Sequence, residues 1–194
     1  MIEILDNLFD PFINQYIVKG LSACEGWRIS TDHLSYDSDK SFEKSEKSDS
    51  GHVLLSYAID QTDNTNWKLN AYADLILAKV LEESKYQYKD ISVMRYFWNY
   101  YSRSSNGLWH KDMFDPTGNF NSIVYYINDS DGGTTVGDQF VQHKQSRAII
   151  FDSRELHKGA GPVDNKQRFA LNILFQFNSK QEKALNGQTN RICL

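Results

Sequence analysis

The sequence predicts an α+β domain in which two amphipathic helices precede a β-rich half with the architecture of a sandwich or a jelly roll. Apolar residues recur at helical spacing in the first 85 residues. From Ile91 onward, short runs rich in Val, Ile, Tyr and Phe alternate with Gly, Asn and Asp turns. The chain has 194 residues and no internal repeat. That length suits one domain with a buried core, so we expect residues 1–194 to form a single domain.

The first predicted helix begins at Asp10, which can cap it, and Pro11, which suits the first turn. Its predicted end is at Gly20 or Gly26. A second helix is predicted over residues 67–85. The apolar positions at helical spacing are, in the first helix, Phe12, Ile13, Tyr16, Ile17 and Leu21 and, in the second, Leu69, Tyr72, Leu75, Ile76, Val80 and Leu81.

A polar segment separates the two predicted helices. Residues 35–51 are rich in Ser, Asp, Lys and Glu, and Tyr36 and Phe42 are almost its only apolar side chains. This composition cannot bury a core, and it predicts a mobile loop. Because loops carry much of a protein's specificity, residues 35–51 and 98–107 are where substrate specificity could reside.

The β-rich half begins at Ile91. A strong turn signal, Asn-Asp-Ser-Asp-Gly-Gly, occupies residues 128–133 and divides this half. Strands are predicted over residues 91–101, 122–127, 139–142, 147–151 and 168–177.

Charge and cysteine content restrict the class of protein. The chain has 21 basic and 25 acidic residues and no basic run, so its charge does not favour binding to nucleic acid. Cys24 and Cys193 lie far apart, which argues against a disulfide framework and favours a reducing compartment. No apolar run reaches membrane-spanning length, and the N-terminus is acidic where a signal peptide is basic. We therefore expect a cytoplasmic protein that binds neither nucleic acid nor membranes; its oligomeric state stays open.

The pair His110 and Asp112 is the first sign of a metal site. Among five histidines, only His110 has a carboxylate two residues later, and residues i and i+2 of a strand point to the same face. His157 lies just beyond the predicted strand over residues 147–151 and can supply a third ligand from a distant part of the chain. Two imidazoles and one carboxylate on one side of an ion leave positions open for a cosubstrate and dioxygen, an arrangement that suits iron(II).

Arg168 predicts a binding site for an acidic cosubstrate beside this metal site. It follows His157 by eleven residues and opens the apolar strand predicted over residues 168–177. An unpaired charge in such a strand is costly, and a guanidinium is well shaped for a bidentate grip on a carboxylate. His-x-Asp alone is a weak motif, but in this order with His157 and Arg168 it predicts an oxygenase site with an acidic cosubstrate.

Residues 91–177 resemble the prolyl 4-hydroxylase-like branch of the iron(II)/2-oxoglutarate-dependent dioxygenase superfamily. The opening residues 2–11 are also similar to the start of that family. The segments that carry the resemblance are His110-Lys-Asp112, the strand over 122–128, the turn Asp131-Gly-Gly-Thr-Thr135, Arg147-Ala-Ile-Ile-Phe-Asp152, His157 with Gly161-Pro-Val163, and Arg168-Phe-Ala-Leu-Asn172.

This resemblance implies a double-stranded β-helix (jelly-roll) core flanked by N-terminal helices. It also implies oxidative decarboxylation of 2-oxoglutarate to succinate and CO2, coupled to hydroxylation of a C–H bond by dioxygen. The family's iron(II) ligands, which are its catalytic residues, carry over to His110, Asp112 and His157. Its anchor for the 5-carboxylate of 2-oxoglutarate carries over to Arg168. The resemblance also allows for ascorbate as an additional cofactor.

Further cosubstrate contacts in related enzymes map onto Tyr126 and Asn172. The family usually has Thr at the second position, although an Asn amide can also bond a carboxylate. Tyr96 is a third candidate, as a hydroxyl donor to the cosubstrate. The stretch after it lacks the family's Gly-rich pattern, so Tyr100 and Tyr101 stay open as alternatives to Tyr96. The other histidines, His33, His52 and His143, belong to no motif and are interpreted as surface or structurally satisfied residues.

Peptidyl proline is the substrate that the resemblance favours. Another protein side chain or a small metabolite is the alternative, whereas a nucleic-acid demethylase is disfavoured because the chain is acidic and a second arginine is missing from the strand of Arg168. Two other classes share the ligand set. A cupin-like zinc or manganese protein without oxygenase activity would leave Arg168 without a role, and a binding jelly roll without turnover would be expected to have lost a ligand.

Overall fold

The computed structural model describes residues 1–24, 27–30, 54–59, 67–103, 105–164 and 167–183, without the side chains of residues 28–30, 54–59 and 67. The predicted loop over 35–51, His33, His52 and Cys193 lie outside the described residues. The described helices are α1 (Pro11–Ser22) and α2 (Trp67–Glu83). The described strands are β1 (Glu3–Leu5), β2 (Arg28–Ser30), β3 (Leu54–Ile59), β4 (Tyr86–Lys89), β5 (Ser92–Tyr101), β6 (Phe120–Tyr126), β7 (Gly133–Val136), β8 (Gln139–Gln142), β9 (Arg147–Asp152), β10 (His157–Ala160), β11 (Arg168–Gln176) and β12 (Ser179–Glu182).

Antiparallel pairing joins these strands into sheets. Seven strands form the large sheet, in the order β1-β9-β6-β11-β5-β3-β2, and three form the small sheet, in the order β10-β7-β8. A separate ribbon pairs β12 with β4. Val136 and Val141 of the small sheet pack against Val124, Ile149 and Ala170 of the large one. The two sheets therefore face each other as in a jelly roll, and we call the region between them, which holds buried polar side chains, the cleft.

The helices cover the opposite face of the large sheet. Strand side chains alternate between the two faces, so the odd and even positions of one strand enter different cores. In β11, Ala170 faces the small sheet, whereas Leu171 and Ile173 pack under α1 and α2 with Ile17 and Ile76. Burial on both faces explains why β6 and β11 are nearly continuous apolar runs rather than alternating ones.

Helix α1 begins as its sequence predicts. Pro11 occupies the first turn, and the Asp10 carboxylate accepts a hydrogen bond from the backbone N–H of Phe12 at 2.8 Å. The helix ends at Ser22, between the two glycines that were predicted to end it; Gly20 lies within the helix. Helix α2 stops at Glu83, two residues before the predicted end. Neither described helix is long and apolar enough to cross a membrane.

The strands that sequence patterns missed are short. Residues 131–135 were interpreted as a turn and His157 as the mouth of a strand. In the structure, residues 133–136 form β7, His157 begins β10, and these two strands pair with each other. Each of these strands has only four residues, and Gly133 and Gly159 are of a type that is depleted in strands. Their strand conformation comes from pairing across the small sheet, and it is these strands that close the cleft.

Candidate metal centre and carboxylate pocket

His110, Asp112 and His157 lie together in the cleft. One ligand atom from each falls within 4.8 Å of the others. The spacing of His110 and Asp112 predicted a regular strand. In the structure, both residues lie instead on the extended connection between β5 and β6. An antiparallel bridge pairs His110 with His157, because the N–H of each donates to the carbonyl of the other at 2.9 Å. This bridge replaces the predicted strand in bringing the two imidazoles together.

Both imidazoles have the tautomer that a metal ligand needs. His110 Nδ1 lies 2.8 Å from the Leu108 carbonyl and His157 Nδ1 lies 2.9 Å from the Glu155 carbonyl. A carbonyl only accepts, so each Nδ1 carries a proton, and in the neutral ring each Nε2 presents a lone pair. The Nε2 atoms lie 3.9 Å (His110) and 3.5 Å (His157) from the oxygens of Asp112. This donor set fits a divalent transition metal such as iron(II).

Asp112 is oriented by three neighbouring side chains. Ser122 Oγ donates to Asp112 Oδ2 at 2.6 Å, Asn172 Nδ2 donates to the same oxygen at 3.2 Å, and Arg95 forms an ion pair with Oδ1. Burial raises the pKa of Asp112, but the protonated form of His157 and the charge of Arg95 outweigh burial and hold this pKa well below its usual value. Asp112 is therefore an anionic carboxylate, as a metal ligand requires.

Asn172 and Arg95 both lie at the end of the cleft that contains His110, Asp112 and His157, which we call the metal end. Asn172 was predicted to contact the cosubstrate, and the structure brings it against Asp112, four residues along β11 from Arg168. Four residues of strand span about 13 Å, so Asn172 and Arg168 lie at opposite ends of the cleft. Arg95 carried no motif in the sequence. Only the alternation along β5, which turns it toward the cleft, identifies it.

Arg168 lies at the other end of the cleft and is 1% exposed. Its Nε donates to His143 Nδ1 and its Nη2 to Thr134 Oγ1, both at 3.1 Å. Its guanidinium carbon lies 4.1 Å from the centre of the Tyr101 ring. Nη1 is buried and has no hydrogen-bond partner among the described residues. A buried cationic donor of this kind calls for an anionic acceptor.

The spacing along β10 relates the two ends of the cleft. His157 and Gly159 are both buried on the same face of this strand, about 7 Å apart. A Cβ atom on Gly159 would lie 2.9 Å from Arg168 Nη1, so the free guanidinium nitrogen is beside Gly159. A short dicarboxylate is the kind of molecule that can reach from the metal ligands to Arg168.

Tyr126, which the resemblance gives as a cosubstrate contact, lies beside Arg168 and His143. It is fully buried, its ring stacks on His143 at 4.3 Å, and its centre lies 5.7 Å from the guanidinium carbon of Arg168. Burial raises the pKa of Tyr126, which outweighs the opposite effect of Arg168. The phenol therefore keeps its proton and remains a hydrogen-bond donor.

The structure does not bring Tyr96, the predicted hydroxyl donor to the cosubstrate, into the cleft. Its hydroxyl donates to Asp74 of α2, and its ring packs in the core beneath the helices, behind the large sheet. Tyr100 packs against the same core. Tyr101 is on the other face of β5, against Arg168. Neighbouring residues of a strand point to opposite faces, so the choice between these tyrosines depended on a register that the sequence did not reveal.

His143 is a further residue of the cleft that sequence analysis missed. It is 3% exposed, not a surface residue, and it lies directly after β8 with its ring against Tyr126 and Arg168. No spacing relative to a metal ligand marks it in the sequence. The pairing of β8 with β7, which carries Thr134, brings it to the pocket.

Comparison with known proteins adds evidence on the fold. No family model matches the chain, and no curated protein sequence matches it. A viral collagen prolyl hydroxylase from Paramecium Bursaria Chlorella virus-1, solved with 2-oxoglutarate, superposes with a TM-score of 0.59 and 11% identity over 92% of this chain and 96% of that one.

Two further solved structures are similar. The non-heme alpha-ketoglutarate-dependent epimerase SnoN from nogalamycin biosynthesis has a TM-score of 0.64 and 12% identity over 94% of this chain and 80% of that one. Another structure of SnoN contains Fe3+ and alpha-ketoglutarate. A prolyl hydroxylase from Trichoplax adhaerens, bound to a hypoxia-inducible-factor peptide, has a TM-score of 0.57 and 14% identity over 96% of this chain and 87% of that one. The chain therefore has the fold of these 2-oxoglutarate-dependent oxygenase structures.

Proposed function

We propose that this protein is an iron(II)- and 2-oxoglutarate-dependent oxygenase that hydroxylates a C–H bond. The observation that carries the proposal is the layout of the cleft. It has a His-Asp-His cluster at one end and, at the other, a buried guanidinium whose Nη1 has no partner among the described residues. Gly159, which lies beside Nη1, follows His157 on the same face of β10, about 7 Å along the strand. The shared fold with 2-oxoglutarate-dependent oxygenases supports the same reading.

In the proposed reaction, 2-oxoglutarate, dioxygen and a C–H substrate give succinate, CO2 and the hydroxylated product. One oxygen atom enters succinate and the other enters the product. His110, Asp112 and His157 would hold iron(II), which supplies the redox chemistry when bound. Arg168 and Tyr126 would bind the distal carboxylate of 2-oxoglutarate. The apolar residues between the two sheets keep water from this end of the cleft.

Peptidyl proline is the substrate we propose first, because the resemblance in sequence and two of the similar structures point to prolyl hydroxylases. The connection that carries His110 also exposes Leu108 and Phe114, while Lys158 lies over the Trp109 ring. These groups are suited to an extended peptide. A different protein side chain or a small metabolite is the second candidate, favoured by the similarity to SnoN.

Anaerobic reconstitution tests the proposed function. The protein with Fe(II) and 2-oxoglutarate should show the weak visible charge-transfer band of a chelate, and dioxygen should then yield succinate. His157→Ala should lose iron affinity and form no succinate. A protein that binds zinc or manganese but never 2-oxoglutarate would contradict the proposal and favour the cupin-like class.

A substrate screen separates the two candidate substrate classes. Proline-containing peptides and small metabolites are added to the iron-loaded protein, and succinate release is measured for each. Stimulation by peptides alone supports the prolyl hydroxylase assignment. Stimulation by a metabolite alone would overturn that assignment while leaving the oxygenase activity intact.

A further inference from the structure

His143 contacts Arg168 but belongs to no motif and has no part in the reaction proposed above. Its backbone N–H donates to the Gly132 carbonyl at 3.0 Å, which fixes the residue at the end of β8. Its Nδ1 lies 3.1 Å from Arg168 Nε, and both side chains are buried. The hydrogen bond therefore forms out of contact with bulk water.

The direction of this hydrogen bond determines the state of the imidazole. A guanidinium N–H can only donate, so Nδ1 of His143 must accept and cannot carry a proton. The ring is then the neutral tautomer with its proton on Nε2. Burial and the charge of Arg168 lower the pKa of His143 well below its usual value, which agrees with a neutral ring.

The other contacts of Arg168 leave one part of the guanidinium available. His143 occupies Nε, Thr134 accepts from Nη2, and Tyr101 covers one face of the group. Nη1, beside Gly159, has no partner among the residues that the structure describes. The guanidinium is thus held in one orientation, with its far end directed to the cleft, before a carboxylate arrives.

We infer that His143 is a positioning residue for the cosubstrate: a neutral acceptor that orients Arg168 without neutralising its charge. This inference rests on the proposed function, because it assigns the carboxylate of 2-oxoglutarate to Arg168. An acidic residue in place of His143 would pair with Arg168 and compete with that carboxylate. An apolar residue would leave Nε without a partner and the guanidinium free to turn.

Three substitutions at one position test this inference. His143→Asn retains a neutral acceptor, His143→Leu removes the acceptor, and His143→Asp adds a competing charge. With Mn(II) in place of iron, calorimetry should show 2-oxoglutarate affinity reduced only about twofold to threefold in the Asn variant, about tenfold in Leu and about 100-fold in Asp. Mn(II) affinity should stay unchanged in all three, because His143 does not touch the metal ligands.

The same series gives the results that would overturn the inference. If the Leu and Asp variants bind 2-oxoglutarate as tightly as the wild type, or if Asn weakens binding as much as Leu, His143 does not act through a neutral acceptor. A KM for 2-oxoglutarate that rises while kcat stays constant supports the role. A fall in kcat alone contradicts it.

Nitrogen-15 NMR of the wild-type protein provides a test that needs no variant to fold. The imidazole of His143 should show an unprotonated, hydrogen-bonded Nδ1 and a protonated Nε2 at neutral pH. A proton on Nδ1 would overturn the inference. Failure of the proposed function would look different: the wild type would not bind 2-oxoglutarate, whereas the NMR result would be unaffected.

Discussion

The side chains around Asp112 hold its carboxylate in one orientation at the metal end of the cleft. It accepts from Ser122 and Asn172 through one oxygen and pairs with Arg95 through the other. These contacts compensate for the burial of a carboxylate side chain that is 1% exposed. They also explain an Asn at position 172, because its amide orients a metal ligand there.

At the opposite end, Arg168→Ala should weaken 2-oxoglutarate binding about 100-fold or more, since it removes a buried guanidinium with a fixed orientation. Metal content should stay near normal, because no contact links Arg168 to the three ligands among the described residues. Calorimetry and metal analysis measure both quantities. Arg168→Lys, which keeps the charge but not the fork, should bind with intermediate affinity. Equal loss of metal in the Ala variant would contradict the assigned role.

At the scale of elements, β10 connects the two ends of the cleft. It contributes a metal ligand, His157, and two residues later Gly159, where the backbone lies against Tyr101 and Arg168. The bridge to His110 and the pairing with β7 position this short strand. Position 159 requires a glycine because a Cβ atom there would lie too close to Tyr101 and Arg168, not because of the backbone conformation.

Gly159→Ala should therefore reduce 2-oxoglutarate affinity at least about tenfold. Its Cβ would lie 2.7 Å from Tyr101 Cζ and 2.9 Å from Arg168 Nη1, which forces one of these groups to move. The matched control is Gly20→Ala in α1, where the new Cβ would make only ordinary contacts of 3.9 and 4.0 Å. The control should bind 2-oxoglutarate normally and gain up to about 1 kcal/mol in the free energy of unfolding. Equal affinities in the two variants would show that the pocket does not need this space.

At the scale of the whole molecule, the large sheet separates two environments. Its helix side is an apolar core, whereas its other side carries the buried polar groups of the cleft, among them Arg168, His143 and Asp112. Placing charged groups in a cleft between two sheets costs stability unless they are paired or orient one another. Part of the molecule's pH dependence therefore comes from the cleft.

His143 makes a specific contribution to this pH dependence. Its pKa is lowered by burial and by Arg168, with Arg147 acting in the same direction, while the unfolded chain should have the usual value of about 6.5. The unfolded state then binds more protons, so stability is complete above about 6.5 and falls as the pH drops from there toward the folded pKa. Urea unfolding of wild type and His143→Asn should show the wild type losing its advantage at acidic pH. An advantage that is constant with pH would contradict the neutral folded imidazole.

The sequence alone indicated a large part of the fold. Asp10 and Pro11 marked the start of α1, and apolar runs marked β6, β9 and β11, because these signals lie within a few neighbouring residues. The order His-x-Asp, His, Arg also identified four groups that meet in one cleft. Such groups are recognisable by residue type and order, which do not require knowledge of the fold.

Only the tertiary structure decided which side chains surround those four groups. Tyr96 and Tyr101 belong to one strand, but they face opposite sides of it, and the structure turns Tyr101 rather than Tyr96 to Arg168. His143 reaches the cleft through the pairing of β8 with β7, and Arg95 through the pairing of β5 with the distant strand β11. A shift of one residue in the pairing would reverse every one of these faces, and pairing register depends on long-range contacts that no local pattern contains.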